Sequence, residues 1–312
     1  MALAIDIMLN GACNLECPFC YGPDPKDERQ LGLSDLEALG IFVRSRGVSG
    51  AVLSGGEPTL RADMPDVLRL FVGLDLWVGL QSNGTRPHVI KSVLHYLDWL
   101  ALPLDAVTES VARTVRTQAH HLERIRDLAG SPEIAHARET GMKLKMGTVV
   151  TRLNINELPA IASVMRIWAP DSWKVHQFRP RGAGRINRET LTVTTEEFED
   201  AVGAVAEAFP DLRMSPSLAS QSRRAYLILN PDGQLLIPLD DHYLSFGEVV
   251  RQGHVLEDVW DSALASLDSN AHISNLTAGF PGQVREQSEL VPFATSFRGS
   301  ISPREVVDRD GA

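Results

Sequence analysis

The chain has 312 residues, a formal charge of −10 and 44% apolar side chains. That length buries a substantial core in one large domain or two small ones, and the composition is that of an ordinary globular protein. The acidic balance argues against nucleic acid or an anionic membrane as partner, since phosphate contacts need clustered Lys and Arg, and no apolar run is long enough to span a membrane.

The first expected strand is 3–9 (LAIDIML). It is too short, and lacks the basic start, for a signal peptide, so a cytoplasmic protein is expected. A loop with Cys13, Cys17 and Cys20 follows, and the chain holds no other cysteine. Next come a helical pattern at 34–47, with Ser34 as the expected N-cap and Glu37 three residues on, and a strand at 50–54 running into Gly55-Gly56-Glu57-Pro58. Further strands are expected at 76–82, 99–104, 143–150 and 173–178, with a helix at 156–169. Strand and helix alternating in this way predict an α/β fold with a parallel sheet and right-handed crossovers. Beyond the sixth strand lie a helix at 194–210, capped by Thr194 or Thr195, a hairpin at 224–238 around Asn-Pro-Asp-Gly, and a turn with a short amphipathic helix at 246–264. Apolar density falls after about 268, which predicts a loosely packed tail over 268–312.

Three cysteines within eight residues admit four readings. Disulfides need an even number and an oxidising compartment. A structural zinc site needs a fourth ligand, and no His lies near the triplet. Buried structural thiols fit poorly with the interleaved Asn14, Glu16 and Pro18. Three thiolates on a [4Fe–4S] cluster leave one iron open for a substrate or cosubstrate, which explains the odd number.

The spacing of "CNLECPFC", together with "AVLSGGEPTL" at 51–60, resembles the signature of the radical S-adenosylmethionine (SAM) enzymes. The resemblance implies a partial (β/α)6 TIM-like barrel over 1–190, closed by a small C-terminal helix, hairpin and helix over 191–267. It implies one [4Fe–4S] cluster on Cys13, Cys17 and Cys20, with SAM as cosubstrate. Reductive cleavage of SAM would then give a 5′-deoxyadenosyl radical. In such barrels chemistry gathers at the C-terminal ends of the strands, where the cysteine loop and the GGEP turn both fall.

The same resemblance implies a SAM site. Gly55 and Gly56 would admit close backbone approach, Glu57 would accept from the SAM ammonium, and Pro58 would complete the turn. Ser82 and Asn83 would face SAM, although this stretch equally reads as an Asn-Gly turn. Thr151 and Asn154 would hold the ribose, while Gln177, Phe178 and Tyr21 would lie around the adenine. Arg179, Arg181 and Arg185 would reach into the mouth as substrate ligands. Asp105 would hold a substrate ammonium, and His176 or Tyr243 would move a proton or hydrogen atom.

The absence of cysteine after Cys20 excludes an auxiliary cluster with cysteine ligands, and removes the thiol hydrogen donor of some related sugar epimerases. The second half is similar in layout to viperin-like nucleotide dehydratases and to small enzymes that tailor aminoglycosides. The net negative charge favours a cationic aminosugar as the small-molecule substrate, with hydrogen abstraction leading to epimerisation or dehydration in antibiotic biosynthesis. Nucleotide- or peptide-modifying chemistry is the alternative, and a non-enzymatic iron–sulfur sensor is a third. An external one-electron reductant such as flavodoxin or ferredoxin is the expected protein partner.

Overall fold

Six parallel strands form the centre of the molecule: β1 (Leu3–Met8), β2 (Val48–Ser54), β3 (Trp77–Gln81), β4 (Trp99–Pro103), β5 (Lys143–Val150) and β6 (Ser172–Gln177). They hydrogen-bond in sequence order, as the alternating pattern predicts. The computed structural model describes residues 3–22, 29–279 and 304–306. Helices α1 (Leu33–Ser45), α2 (Met64–Gly73), α3 (Pro87–Val93), α4 (Glu109–Arg116), α5 (His121–Ala129), α6 (Pro132–Glu139) and α7 (Leu158–Trp168) make the crossovers. Each of these helices buries one stripe, such as Leu36, Leu39 and Val43 of α1 or Ile161, Ala162 and Met165 of α7. Strands covered on one face by helices and closed around side chains on the other read as near-continuous apolar runs.

Two glycines shape the interior. An added Cβ at Gly50 would lie 1.8 Å from the Trp77 ring, and one at Gly79 would lie 2.1 Å from the Trp99 ring. Each indole therefore lies flat over the neighbouring strand, and Lys145 sits 5.1 Å above the Trp99 ring.

The C-terminal half extends the same sheet. After the short helix α8 (Arg188–Leu191), α9 (Thr195–Ala208) carries a capping box between Thr194 and Glu197. Strand β7 (Met214–Ser217) then pairs parallel to β6. Strand β8 (Ile228–Leu229) pairs parallel to β1 and turns through 230–233 into β9 (Gln234–Pro238), which pairs with β10 (Tyr243–Glu248). A ribbon of β11 (Val250–Arg251) and β12 (His254–Val255) precedes α10 (Glu257–Ser266). Both edges of the six-stranded core are thus covered by later strands.

Three local expectations change. The N-cap of α1 is Gly32, without a side-chain bond, because the helix begins one residue before Ser34. Part of 246–264 is strand, since β10 completes the hairpin edge. The loosely packed segment does not begin at 268: α11 (Ser269–Gly279) is a helix held by its polar residues. His272, buried, accepts from the Ala4 amide at 3.2 Å and donates to the Ala225 carbonyl at 3.0 Å. Asn275 receives the Lys174 ammonium at 3.2 Å and the Tyr226 hydroxyl at 3.2 Å. Residues 280–303 and 307–312 of the expected tail lie outside the described residues. Among the described residues no helix is long and apolar enough to cross a membrane.

Candidate active site

The cysteine loop follows β1 and the GGEP turn follows β2, so neighbouring parallel strands deliver both to one rim. The two are joined by main chain. Gly56 N donates to Asn10 O at 2.7 Å and Glu57 N to Ala12 O at 2.8 Å. A Cβ on Gly56 would sit 2.2 Å from Ala12 O, so only glycine permits this approach.

Each cysteine sulfur receives an N–H donor. Asn83 Nδ2 lies 3.9 Å from Cys13 Sγ, Arg116 Nη1 3.6 Å from Cys17 Sγ, and Gly22 N 3.4 Å from Cys20 Sγ. Burial holds the Cys17 thiol above its usual range, and the Arg116 guanidinium offsets this only in part. Three sulfurs facing N–H donors suit thiolate ligands, and so fit an iron–sulfur cluster.

Glu57 is engaged within the protein. It is fully buried, and its carboxylate accepts from Thr59 N at 3.0 Å, Thr59 Oγ1 at 2.5 Å, Ser82 Oγ at 2.8 Å and Asn83 N at 2.7 Å. Burial raises its proton affinity, while these four donors lower it. The carboxylate tethers the GGEP turn, which continues into a 3-10 turn from Pro58, to the loop after β3. Ser82 and Asn83 belong to the same tether. Asn83 also bonds Asn14 Oδ1 at 3.0 Å, and its carbonyl accepts from His121 Nε2 at 2.8 Å. Gly55 adopts φ 154° against Asn10.

Asp105 is corrected. It is buried and ion-paired to Arg116, its other oxygen accepts from Val149 N at 2.7 Å, and it does not line the main cavity. A carboxylate neutralised in this way is not available to a substrate ammonium. Thr151 and Asn154 close on each other: Thr151 N and Oγ1 donate to Asn154 Oδ1 at 2.7 and 3.0 Å, and Asn154 Nδ2 donates to Asp105 O and Val149 O. Both are buried away from the cavity, where they brace the loop after β5 rather than line a ribose site. Phe178 is a core side chain, and Arg185 lies on the 3-10 turn Gly182–Asn187 outside the cavity.

The remaining expected residues converge. A cavity runs from the last residues of the strands (Ser54, Gln81, Gln177) to residues at or next to their starts (Ala4, Trp77, Trp99), where His272, Asn275 and Leu276 of α11 line it. Tyr21 and Tyr243 stand at its rim, with Tyr243 Oη donating to Tyr21 O at 3.0 Å and Tyr21 Oη to Gln81 at 3.1 Å. Gln177 lines the wall, but both ends of its amide are taken by Val193 O and Ala219 N. Arg179 is held by Ser217 at 2.7 Å, and Arg181, 4% exposed, by Ser222 at 2.6 Å and Asp240 O at 3.2 Å. Burial lowers Arg181 to about 10. His176 lines the cavity, is held well below the usual imidazole range by burial and the nearby cations, and has no partner for Nδ1 among the described residues.

Sequence reasoning missed Asp6, Lys145, Lys174 and Arg116. The first three line the cavity. Burial and mutual repulsion bring Lys145 to about 8, and burial beside Arg179 brings Lys174 to about 8. Burial lifts Asp6 to about 7, against the pull of both lysines. A usable signal existed: each is a charged residue inside an apolar parallel strand, and a parallel strand flanked by helices can point such a group only inward.

The geometry is that of a partial barrel with a three-thiol loop at its rim and a deep adjoining cavity. A model described as the radical SAM superfamily matches residues 7–164, and the chain belongs to that family. As a member it uses a [4Fe–4S] cluster and SAM, and needs a one-electron reductant. It is 24% identical over 258 residues to an S-adenosylmethionine-dependent nucleotide dehydratase of Flammeovirga pacifica, across 77% of this chain and 84% of that one. It is 26% identical over 207 residues to a PqqA peptide cyclase of Granulibacter bethesdensis, across 64% of this chain and 54% of the relative. In structure it is similar to Streptococcus suis SuiB bound to precursor peptide SuiA (TM-score 0.62, 15% identity, 76% of this chain and 60% of that one). It is also similar to anSMEcpe with bound AdoMet (TM-score 0.60, 13% identity, 88% and 82%).

Proposed function

We propose that this enzyme abstracts hydrogen from an anionic small molecule of the nucleoside phosphate class. The observation that carries this is the cavity's charge. Among the described residues four cations, Lys145, Lys174, Arg179 and Arg181, line it against one carboxylate, Asp6. Buried like charges destabilise one another unless a counter-charge joins them, and a cleft of one sign concentrates ligands of the other. The whole-chain charge of −10 is therefore a poor guide to the substrate, and the cationic aminosugar loses its support. The relationship to a nucleotide dehydratase supports the same choice.

When bound, the cluster and SAM supply radical hydrogen abstraction. The chain's own contribution is positioning and exclusion of water. Lys145 and Lys174 hold the anionic group deep in the barrel, which leaves the rest of the substrate toward the rim. Arg181, tied to the hairpin through Asp240, and the Tyr243–Tyr21 bond close the side of the barrel between the extension and the cysteine loop.

The test is calorimetric titration of the reconstituted, SAM-loaded protein with nucleoside triphosphates, nucleoside monophosphates and an aminoglycoside. Tight triphosphate binding that weakens at least tenfold in Lys174→Ala and in Lys145→Ala is expected. Binding of the aminoglycoside in place of nucleotides would overturn the reading.

A further inference from the structure

Asp6 is at odds with a cavity built for an anion. It lies in the middle of β1, on the inward face with Ala4 and Met8, and among the described residues it is the one carboxylate lining the cavity. The charged groups that act on it are Lys145 from β5 and Lys174 from β6. A carboxylate there opposes the binding of a phosphate on those same lysines. Two roles are open to it. It could serve as the counter-charge that lets two lysines share the barrel, or it could hydrogen-bond a donor on the ligand itself.

The surroundings favour the second. Lys174 already has the Asn275 side chain at 3.2 Å, and Lys145 lies over the Trp99 ring, whose face attracts a cation. Both lysines thus have partners other than a carboxylate. Asp6, in contrast, lines the cavity two residues from the end of β1, whereas Lys174 and Lys145 lie three and five residues from the ends of β6 and β5, so it stands nearer the rim than the two lysines. A ligand whose phosphates reach the lysines brings its sugar to that level.

We infer that Asp6 is a specificity-determining residue that accepts a hydrogen bond from a sugar hydroxyl of the substrate, so that the cavity selects phosphate esters bearing that hydroxyl over equally charged anions that lack it. This rests on the nucleoside phosphate reading above. Sites that hydrogen-bond a ligand hydroxyl reject analogues lacking it strongly, because the buried partner is left unpaired. For a charged acceptor the discrimination is on the order of 10- to 100-fold.

The experiment uses reconstituted, SAM-loaded protein and calorimetry with the four ribonucleoside triphosphates, their 2′-deoxy and 3′-deoxy counterparts, and inorganic triphosphate. The wild type is expected to prefer a ribonucleotide at least tenfold over one deoxy form. In Asp6→Asn that preference should fall to about threefold or less, while inorganic triphosphate binds as well as before or better. Equal binding of ribo and deoxy forms by the wild type, or a preference that survives Asp6→Asn, overturns the inference. Asp6→Ser, with the same loss of preference expected, carries the test should Asp6→Asn fail to fold. Should no triphosphate bind the wild type at all, the nucleotide reading itself falls, an outcome distinct from loss of discrimination alone.

Discussion

Replacing Glu57 tests whether the GGEP carboxylate holds SAM or holds the protein together. In the structure it accepts four hydrogen bonds, two of them from main-chain amides, Thr59 N and Asn83 N. In Glu57→Ala the Thr59 and Ser82 hydroxyls can rotate to new partners, but the two amides cannot. Leaving a buried donor unsatisfied costs about 1–3 kcal/mol, so the pair should cost about 2–6 kcal/mol. That is a large share of the roughly 5–15 kcal/mol by which a typical domain is stable. Glu57→Gln keeps the shape but sets an amide N–H among donors, and should lose about half as much. Urea denaturation of the cluster-free protein reads the stability, and calorimetry on the reconstituted protein reads SAM affinity. The expected result is a lower denaturation midpoint, with SAM affinity falling as a consequence of the displaced turn. If Glu57→Ala unfolded like the wild type yet bound SAM tenfold more weakly, the carboxylate would be a direct ligand and the tether argument would be wrong.

Two further outcomes are expected. Gly56→Ala sets a methyl group against Ala12 O, a main-chain atom that cannot swing away, so reconstituted iron should fall well below the wild type's value of about four per chain by colorimetric assay. His121, buried and donating to Asn83 O, is lowered to about 4 by burial first and the nearby Arg116 second. The unfolded chain therefore binds a proton that the folded one refuses between about pH 6.5 and 4. Stability should fall by up to about 3 kcal/mol as pH drops through that window, and urea midpoints of wild type and His121→Asn across pH 4–7 should diverge accordingly.

The sequence by itself determined the elements and the chemistry class. Six apolar runs became β1 to β6 within a residue or two, since a buried parallel strand needs little beyond a short apolar stretch between helices. The three cysteines and the GGEP turn declared the cluster loop because their ligand spacing is local. A threonine cap at 194 or 195 and the Asn-Pro-Asp-Gly hairpin were legible for the same reason, while the reciprocal Thr194–Glu197 box came from the structure. Tertiary structure decided what each rim residue does. Glu57 meets Ser82 and Asn83 across two strands, and Asp105 meets an arginine eleven residues on that also reaches Cys17, so side chains that looked like ligands serve as braces. The polar helix α11 showed no strong apolar stripe, and only its bonds to Ala4, Ala225 and Lys174 fix it beneath the barrel. The sign of the cavity was hidden most completely. Asp6, Lys145, Lys174, Arg179 and Arg181 are spread over 176 positions of the chain, and only closure of the strands around a common axis gathers a cationic interior inside an acidic protein.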